Sequence, residues 1–397
     1  MDYTKNSISK LAIFSLFLAS VTALCVWAPK PFNSFFSPDQ NPPCPQSNWA
    51  VQSLPKDELE EALSKASMAD RTVIIAVVNK AYVEPHDNKS PAMFDIFLES
   101  FWLGEDTRPL LDHLLLVAVD QTSYERCKFR RLNCYKLETA GVDFTGEKLY
   151  MSEDFINMMW RRTRFLLDVL NRGYNFIFTL TPSWVNKFGL GSIIFSRIVE
   201  LKMLEIGPRE MTIAHLHKWV PCEDKDTDVM WLRNPFSKLS KIETEDIQMS
   251  TDVFNGNPWS KRNMINTGFY YIRSNKKTIS LFRVWYAVRR KAAGMKEQDV
   301  LTSLVNRGIF KRLGLKVRFL DTLYFSGFCS DSGDVKAVTT VHANCCRSIH
   351  AKVADLRAVL GDWKGFKDSS SNDTSGFHWS RHNGCMHSWH ESNNTLS

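Results

Sequence analysis

Thr72-Val73-Ile74-Ile75-Ala76-Val77-Val78 is a mostly β-branched run without polar alternation, which predicts a strand buried on both faces, as in parallel sheets. Leu114-Leu115-Leu116-Val117-Ala118-Val119 is a second such run, and Ala92 to Trp102 between them has helical spacing. Strand, helix, strand in that order predicts a crossover unit and an α/β architecture. Ser152 can cap a helix with Glu153 and Asp154 in its first turn. Phe155, Met158, Met159, Phe165, Leu166 and Val169 then recur on one face until Gly173 stops it. Tyr174 to Phe178 reads as the strand that follows.

The flanks are patterned differently. Leu11 to Trp27 holds 17 residues without a charge, preceded by Lys5 and Lys10, and reads as a short membrane anchor, with a cleaved signal peptide as the alternative because Val21-Thr22-Ala23 offers small residues. The expected layout is a cytosolic tail over 1–10, the anchor over 11–27, a proline-rich stem over 28–66, a catalytic domain over 67–366 and a flexible tail over 367–397. A helical pattern also runs from Lys56 to Met68. His378, His382, His387 and His390 in the tail read as adventitious metal ligands at most.

Composition narrows the class. At 397 residues and 44% hydrophobic, the chain can bury a large core. Its net charge of +7 is spread along the sequence without a basic block, so no nucleic-acid partner is expected. Eight of the nine cysteines follow the apolar segment, and no zinc spacing is present. An oxidising lumen is therefore expected, with Cys127 and Cys134 able to close a small loop and the adjacent Cys345 and Cys346 making separate bonds or none. Sequons at Asn88, Asn372 and Asn393 agree with that compartment.

The chemistry centres on Asp226-Thr227-Asp228, which runs into the apolar Val229-Met230-Trp231-Leu232. Two carboxylates at i and i+2 can share one hard cation, and a cation so held stabilises the charge on a departing diphosphate as a Lewis acid. Oxygen ligands suit Mn²⁺ or Mg²⁺.

Around this tripeptide, several runs resemble the plant nucleotide-diphospho-sugar transferase family that includes extensin arabinosyltransferases and rhamnogalacturonan-II xylosyltransferases (GT77-type). They are Met158-Met159-Trp160-Arg161-Arg162, Gly173 to Thr179, Asp226 to Phe236, Asn266-Thr267-Gly268-Phe269-Tyr270-Tyr271, Lys296-Glu297-Gln298-Asp299-Val300-Leu301 and Val341-His342-Ala343-Asn344-Cys345-Cys346. The resemblance implies a GT-A fold, a UDP-sugar donor, a divalent metal, a glycan or glycoprotein acceptor, net retention at the anomeric carbon and a Golgi type II membrane protein with a lumenal domain. Asp226 and Asp228 would hold the metal, with His342 as a further ligand or else a structural histidine. Asn79 and Asp120, after the first two strands, would contact the nucleotide. Asn266 and Gly268 fit a loop needing a polar contact and a close backbone approach, or simply a tight turn. Gln298 and Asp299 match the acceptor-side motif, with an exposed helix start as the plain alternative. Arg161, Arg164 and Asp168 share a helix face that is either solvated surface or a cationic wall of the donor cleft. Trp231, Phe236 and Trp259 read as core.

One departure stands out. In the family, the strand matching Phe176 to Thr179 continues directly into the Asp-x-Asp motif, whereas this chain places 46 residues, 180–225, between them, including a helical candidate over 192–204. Closing such a loop costs only about 3 to 4 kcal/mol. The geometric demand on the metal ligands is stricter, because Pro221 and Glu223-Asp224-Lys225 make poor strand. Two further readings follow: a scaffold or aberrant isoform that has lost donor binding, and a secreted carbohydrate-binding protein.

Overall fold

In the computed structural model, β1 (Thr72–Val78) is an inner strand of a seven-stranded sheet, and its residues alternate between two cores. Val73, Ile75 and Val77 join one core and Ile74, Ala76 and Val78 the other, so every position of the strand is buried, as its unbroken apolar run predicts. The structure describes residues 57–85, 90–138, 144, 152–180, 228–292, 294–369 and 376–390, all within the unit Leu54–Ser397. The apolar segment 11–27, the helical candidate 192–204 and the three sequon asparagines lie outside the described residues. Among the described residues, no helix is long and apolar enough to cross a membrane.

The other strands are β2 (Leu114–Ala118), β3 (Asn133–Lys136), β4 (Asn175–Leu180), β5 (Val229–Trp231), β6 (Ile247–Thr251), β7 (Ile265–Ile272), β8 (Val317–Phe319), β9 (Phe325–Gly327) and β10 (Thr340–His342). The large sheet runs β3-β2-β1-β4-β7-β6-β8 and the small one β5-β10-β9. Pairing is parallel from β3 through β4 and between β6 and β8, and antiparallel on both sides of β7. The fold is therefore mixed α/β with a mainly parallel sheet.

Helices cover both faces. On one side lie α1 (Glu58–Ala66), α5 (Glu153–Asn171), α6 (Lys276–Val288) and α7 (Glu297–Asn306); on the other lie α3 (Met93–Leu103), the small sheet and α9 (Ile349–Asp368). Among the described residues the shorter α-helices are α2 (Lys80–Val83), α4 (Gln121–Phe129), α8 (Ile309–Arg312) and α10 (Asn383–His390). The Ser152 hydroxyl accepts from Phe155 N at 3.2 Å, and Gly173 ends the turn after α5 at φ +78°. Both local signals act as expected.

Three boundaries differ from expectation. The stem does not reach 66, because α1 packs Leu59, Leu63 and Ala66 into the core. Nor is the whole of 367–397 a loose tail: α10 returns against α9, tied by Cys346–Cys385 and by the Asp355 carboxylate, which accepts from Gly384 N and Cys385 N. Composition hid this, since one disulfide and one buried carboxylate replace the apolar periodicity that would have signalled docking. His382, rather than lying free in a tail, stacks on Phe328 and pairs with Asp331 at 2.9 Å. Finally, the strand after Asp228 does not extend β4; it founds the small sheet. Cys127–Cys134 and Cys329–Cys345 are also bonded, so adjacent Cys345 and Cys346 do form separate bonds. Of the aromatics, Trp231 is fully buried, Phe236 half-buried, and Trp259 exposed beneath the Arg318 guanidinium.

Candidate functional site

Asp228 immediately precedes β5, and the residues that follow it hold it in place. Val229, Met230 and Trp231 pair antiparallel with His342, Val341 and Thr340, and Ala343 N donates to Asp228 O at 2.9 Å. That register sets Asp228 beside His342. The Trp231 indole N–H donates to Thr179 Oγ1 at 2.9 Å, which fastens the small sheet to the end of β4. The placement of Asp228 thus does not need a strand continuous with β4. Asp226 lies outside the described residues.

The Asp228 side chain is fully buried. Its Oδ1 stands 3.3 Å from His342 Nε2 and its Oδ2 3.1 Å from the Nζ of Lys352 on α9, which is also fully buried. Tyr82 of α2 is close enough that Asp228 adds to the effect of burial in pushing its phenol well above the usual range. Gly268 of β7 makes room for the imidazole: a Cβ there would meet His342 Cε1 at 2.5 Å. Behind it, Asn266 Oδ1 accepts from Gly268 N at 2.7 Å, while Asn266 Nδ2 and Asn344 Nδ2 each donate to Asp252 Oδ1 at 2.8 Å. The close approach expected at Gly268 is therefore an approach to a side chain of this chain.

Gln298 and Asp299 open α7, and the sheet fixes the first of them. Gln298 Oε1 accepts from Thr267 N at 3.0 Å and from Thr267 Oγ1 at 2.7 Å, which brings the carboxamide next to the Asn266–Gly268 run. Neighbouring Glu297 forms a buried ion pair with Arg162 of α5, whose guanidinium lies over the Phe178 ring. Asp299 is half-buried, and burial raises its carboxyl above the usual range; Lys296 opposes that rise and Glu297 adds to it.

The remaining candidates are placed apart. Asp120 caps α4 through Ser123 N at 2.8 Å and accepts from Lys80 N at 2.5 Å, so both of its oxygens bond backbone. Asn79, buried at the end of β1, donates to Phe144 O at 3.4 Å. Arg161 donates to Glu138 O, and Arg164 pairs with Asp168 at 3.3 Å. Both arginines and Asp168 line a pocket of about 420 Å³ with Tyr135, Phe165, Tyr286 and Arg289.

Lys352, Arg162, Glu297, Asp252 and Asn344 were not anticipated. A signal existed for two of them, since Arg162 falls between Met158 and Phe165, and Lys352 between Ile349 and Leu356, on the apolar stripes of their helices.

Among the described residues no group of three or more His, Cys, Asp or Glu gathers as a metal cluster. Asp228 and His342 nevertheless make a carboxylate-plus-imidazole donor pair of the kind that binds Mn²⁺, and the space cleared at Gly268 keeps the imidazole against the carboxylate. The fit is in the chemistry of the donors.

The model of the nucleotide-diphospho-sugar transferase family matches residues 109–181 and 225–356, together more than half of the chain. The chain belongs to that family. Among relatives of this transferase, the Arabidopsis thaliana "uncharacterized protein At1g28695" is 50% identical over 85% of this chain and 86% of its own. A second Arabidopsis thaliana protein, "uncharacterized protein At4g15970", is 33% identical over 88% of this chain and 80% of its own. Among solved structures, a glycosyltransferase involved in glycosylation of the major capsid of PBCV-1 aligns over 72% of this chain and 98% of its own, at 13% identity and a TM-score of 0.33.

Proposed function

We propose that this family member transfers a sugar from a nucleotide-diphosphate donor, a UDP-sugar, to a glycan or glycoprotein acceptor, with Mn²⁺ or Mg²⁺ held by Asp226, Asp228 and His342. The observation that carries the reading is the buried Asp228–His342 pair, set by the β5–β10 register and accommodated by Gly268. When bound, the metal supplies Lewis-acid stabilisation of the departing diphosphate.

The protein's own groups do the positioning. Gly268 leaves the space the imidazole fills, and Asn266 braces that backbone by accepting from Gly268 N; Gln298 is fixed by Thr267 between them. Asp299 stands next in the helix, where a carboxyl raised by burial can accept an acceptor hydroxyl proton or shield positive charge at the anomeric carbon. Asn79 and Asp120 border the nucleotide end, the latter through the loop it braces. Arg161 and Arg164, opening on a separate pocket, serve anionic portions of donor or acceptor.

The finer assignment is to the plant arabinosyl- and xylosyltransferase branch, with retention of configuration, a Golgi lumenal domain and an anchor over 11–27. Residues 180–225 are then an insertion into the family pattern. Support for an accommodated insertion comes from Asp228 being registered by β10 downstream and by the Trp231–Thr179 bond, neither of which uses that segment.

Calorimetric titration of UDP with Mn²⁺ into the chain, and into a form lacking 180–225, tests the reading, with Asp228→Ala in each as the control. Manganese-dependent binding by both forms, lost in D228A, is the expected result. Binding by the shortened form alone overturns activity for the full chain, and binding by neither leaves the scaffold reading.

A further inference from the structure

Lys352 lies on the buried stripe of α9 between Ile349 and Leu356, where helix packing calls for an apolar side chain. Its side chain is fully buried, and fully burying an ammonium is unfavourable unless an opposite charge meets it. The charge that meets it is Asp228, at 3.1 Å through Oδ2, and Asp228 is fully buried as well. The other oxygen of the same carboxylate faces His342 Nε2 at 3.3 Å. One carboxylate therefore sits between an imidazole that can join it as a metal ligand and an ammonium that can replace a metal as its counter-charge.

We propose that Lys352 is a resident cation of the donor site, sharing Asp228 with the divalent metal and so weakening the affinity of the protein for metal alone. This rests on the donor-site reading given above. A divalent ion at Asp228 and His342 is repelled by the ammonium on the far side of that carboxylate, at a separation where burial leaves little water to screen the charges. A nucleoside diphosphate relieves the repulsion, because its anionic oxygens balance both cations together. Metal and nucleotide thus bind cooperatively: each is held weakly alone and firmly in company. Lys352 acts as a positioning and charge-balancing residue, not as a catalytic one.

Mn²⁺ alone is the probe, with free ion followed by electron paramagnetic resonance, in the full chain and in Lys352→Met. Lys352→Gln serves as a second variant and D228N as the control. The expected result is metal binding at least tenfold tighter in K352M than in the unaltered chain, abolished when D228N is added, with a larger Mn²⁺-induced rise in Tm. Equal or weaker Mn²⁺ affinity in the lysine variants overturns the proposal, as it would for a lysine that merely supports packing. Should the variants fold only with Mn²⁺ present, the metal is replacing the ammonium, which supports it; failure of both to fold with or without Mn²⁺ overturns it. UDP binding by the unaltered chain at saturating Mn²⁺ is measured separately. Its absence sinks the donor-site reading and leaves the metal competition readable on its own.

Discussion

At Gly268 a single methyl group decides whether the site can assemble. Its Cβ would lie 2.5 Å from His342 Cε1 and 3.0 Å from Asn266 Oδ1, and neither atom belongs to a flexible chain end. Gly268→Ala is expected to destabilise the protein by about 1 to 3 kcal/mol and to weaken Mn²⁺-dependent UDP binding by more than tenfold, measured by thermal melts and calorimetry. Asp299 gives a pH-dependent counterpart. Burial raises its carboxyl in the folded state, so the fold holds that proton more tightly than the unfolded chain does. Its contribution to stability is therefore lost as pH rises from the unfolded value of about 3.9 through the folded one. Asp299→Asn should be more stable than the unaltered chain above that window and no different below it, while transfer activity falls by about 10²-fold or more. Asp228 could be singled out in the sequence by its Asp-x-Asp tripeptide, whereas His342 came only with the family resemblance and with a structural histidine as the alternative. Lys352 and Arg162 were not legible, since a lone charge on an apolar stripe reads as a surface interruption until its partner, Asp228 or Glu297, arrives from a distant element.

Elements explain why the acceptor-side motif is held so firmly. Arg162 on α5 reaches Glu297 at the start of α7, Thr267 of β7 approaches the same carboxylate at 3.4 Å, and the Trp285 indole of α6 donates to Glu297 O at 2.7 Å. Three helices and a strand meet on one residue beside Gln298. Removing one charge strands the other: Arg162→Met or Glu297→Gln should each cost about 3 to 5 kcal/mol in urea melts. The double variant Arg162→Met/Glu297→Leu, with neither charge left buried, should recover much of that loss. Three of the seven strands of the large sheet, β1, β2 and β4, were readable from apolar runs, and β1 and β2 most plainly because they are buried on both faces and carry no alternation to misread. The small sheet was not. Its three strands are three residues each, too short for any period, and β5 meets β10 only after more than a hundred intervening residues. That is why a continuous strand through 176–228 looked necessary from the sequence.

For the molecule as a whole, the same end of the chain carries His342, Lys352 and a pair of disulfides. Cys345 and Cys346, three and four residues beyond His342, bond to Cys329 and Cys385, so the segment leaving β10 is pinned on one side to the turn after β9 and on the other to α10. Asp355 caps that return on α9, one turn past Lys352. A bond spanning 39 residues lowers the entropy of the unfolded chain enough to contribute about 4 kcal/mol on loop-closure scaling. Cys346→Ser/Cys385→Ser should accordingly melt well below the unaltered protein under oxidising conditions. Its deficit should exceed that of Cys127→Ser/Cys134→Ser, whose sequence separation is only 7. If α10 is merely an appendage, Mn²⁺-dependent UDP binding by the folded Cys346/Cys385 variant will match that of the unaltered chain. If the return of the chain also holds the segment between His342 and Lys352, binding will weaken in step with the stability loss, and the disulfide-bonded C-terminal return then belongs to the donor site as much as to the scaffold around it.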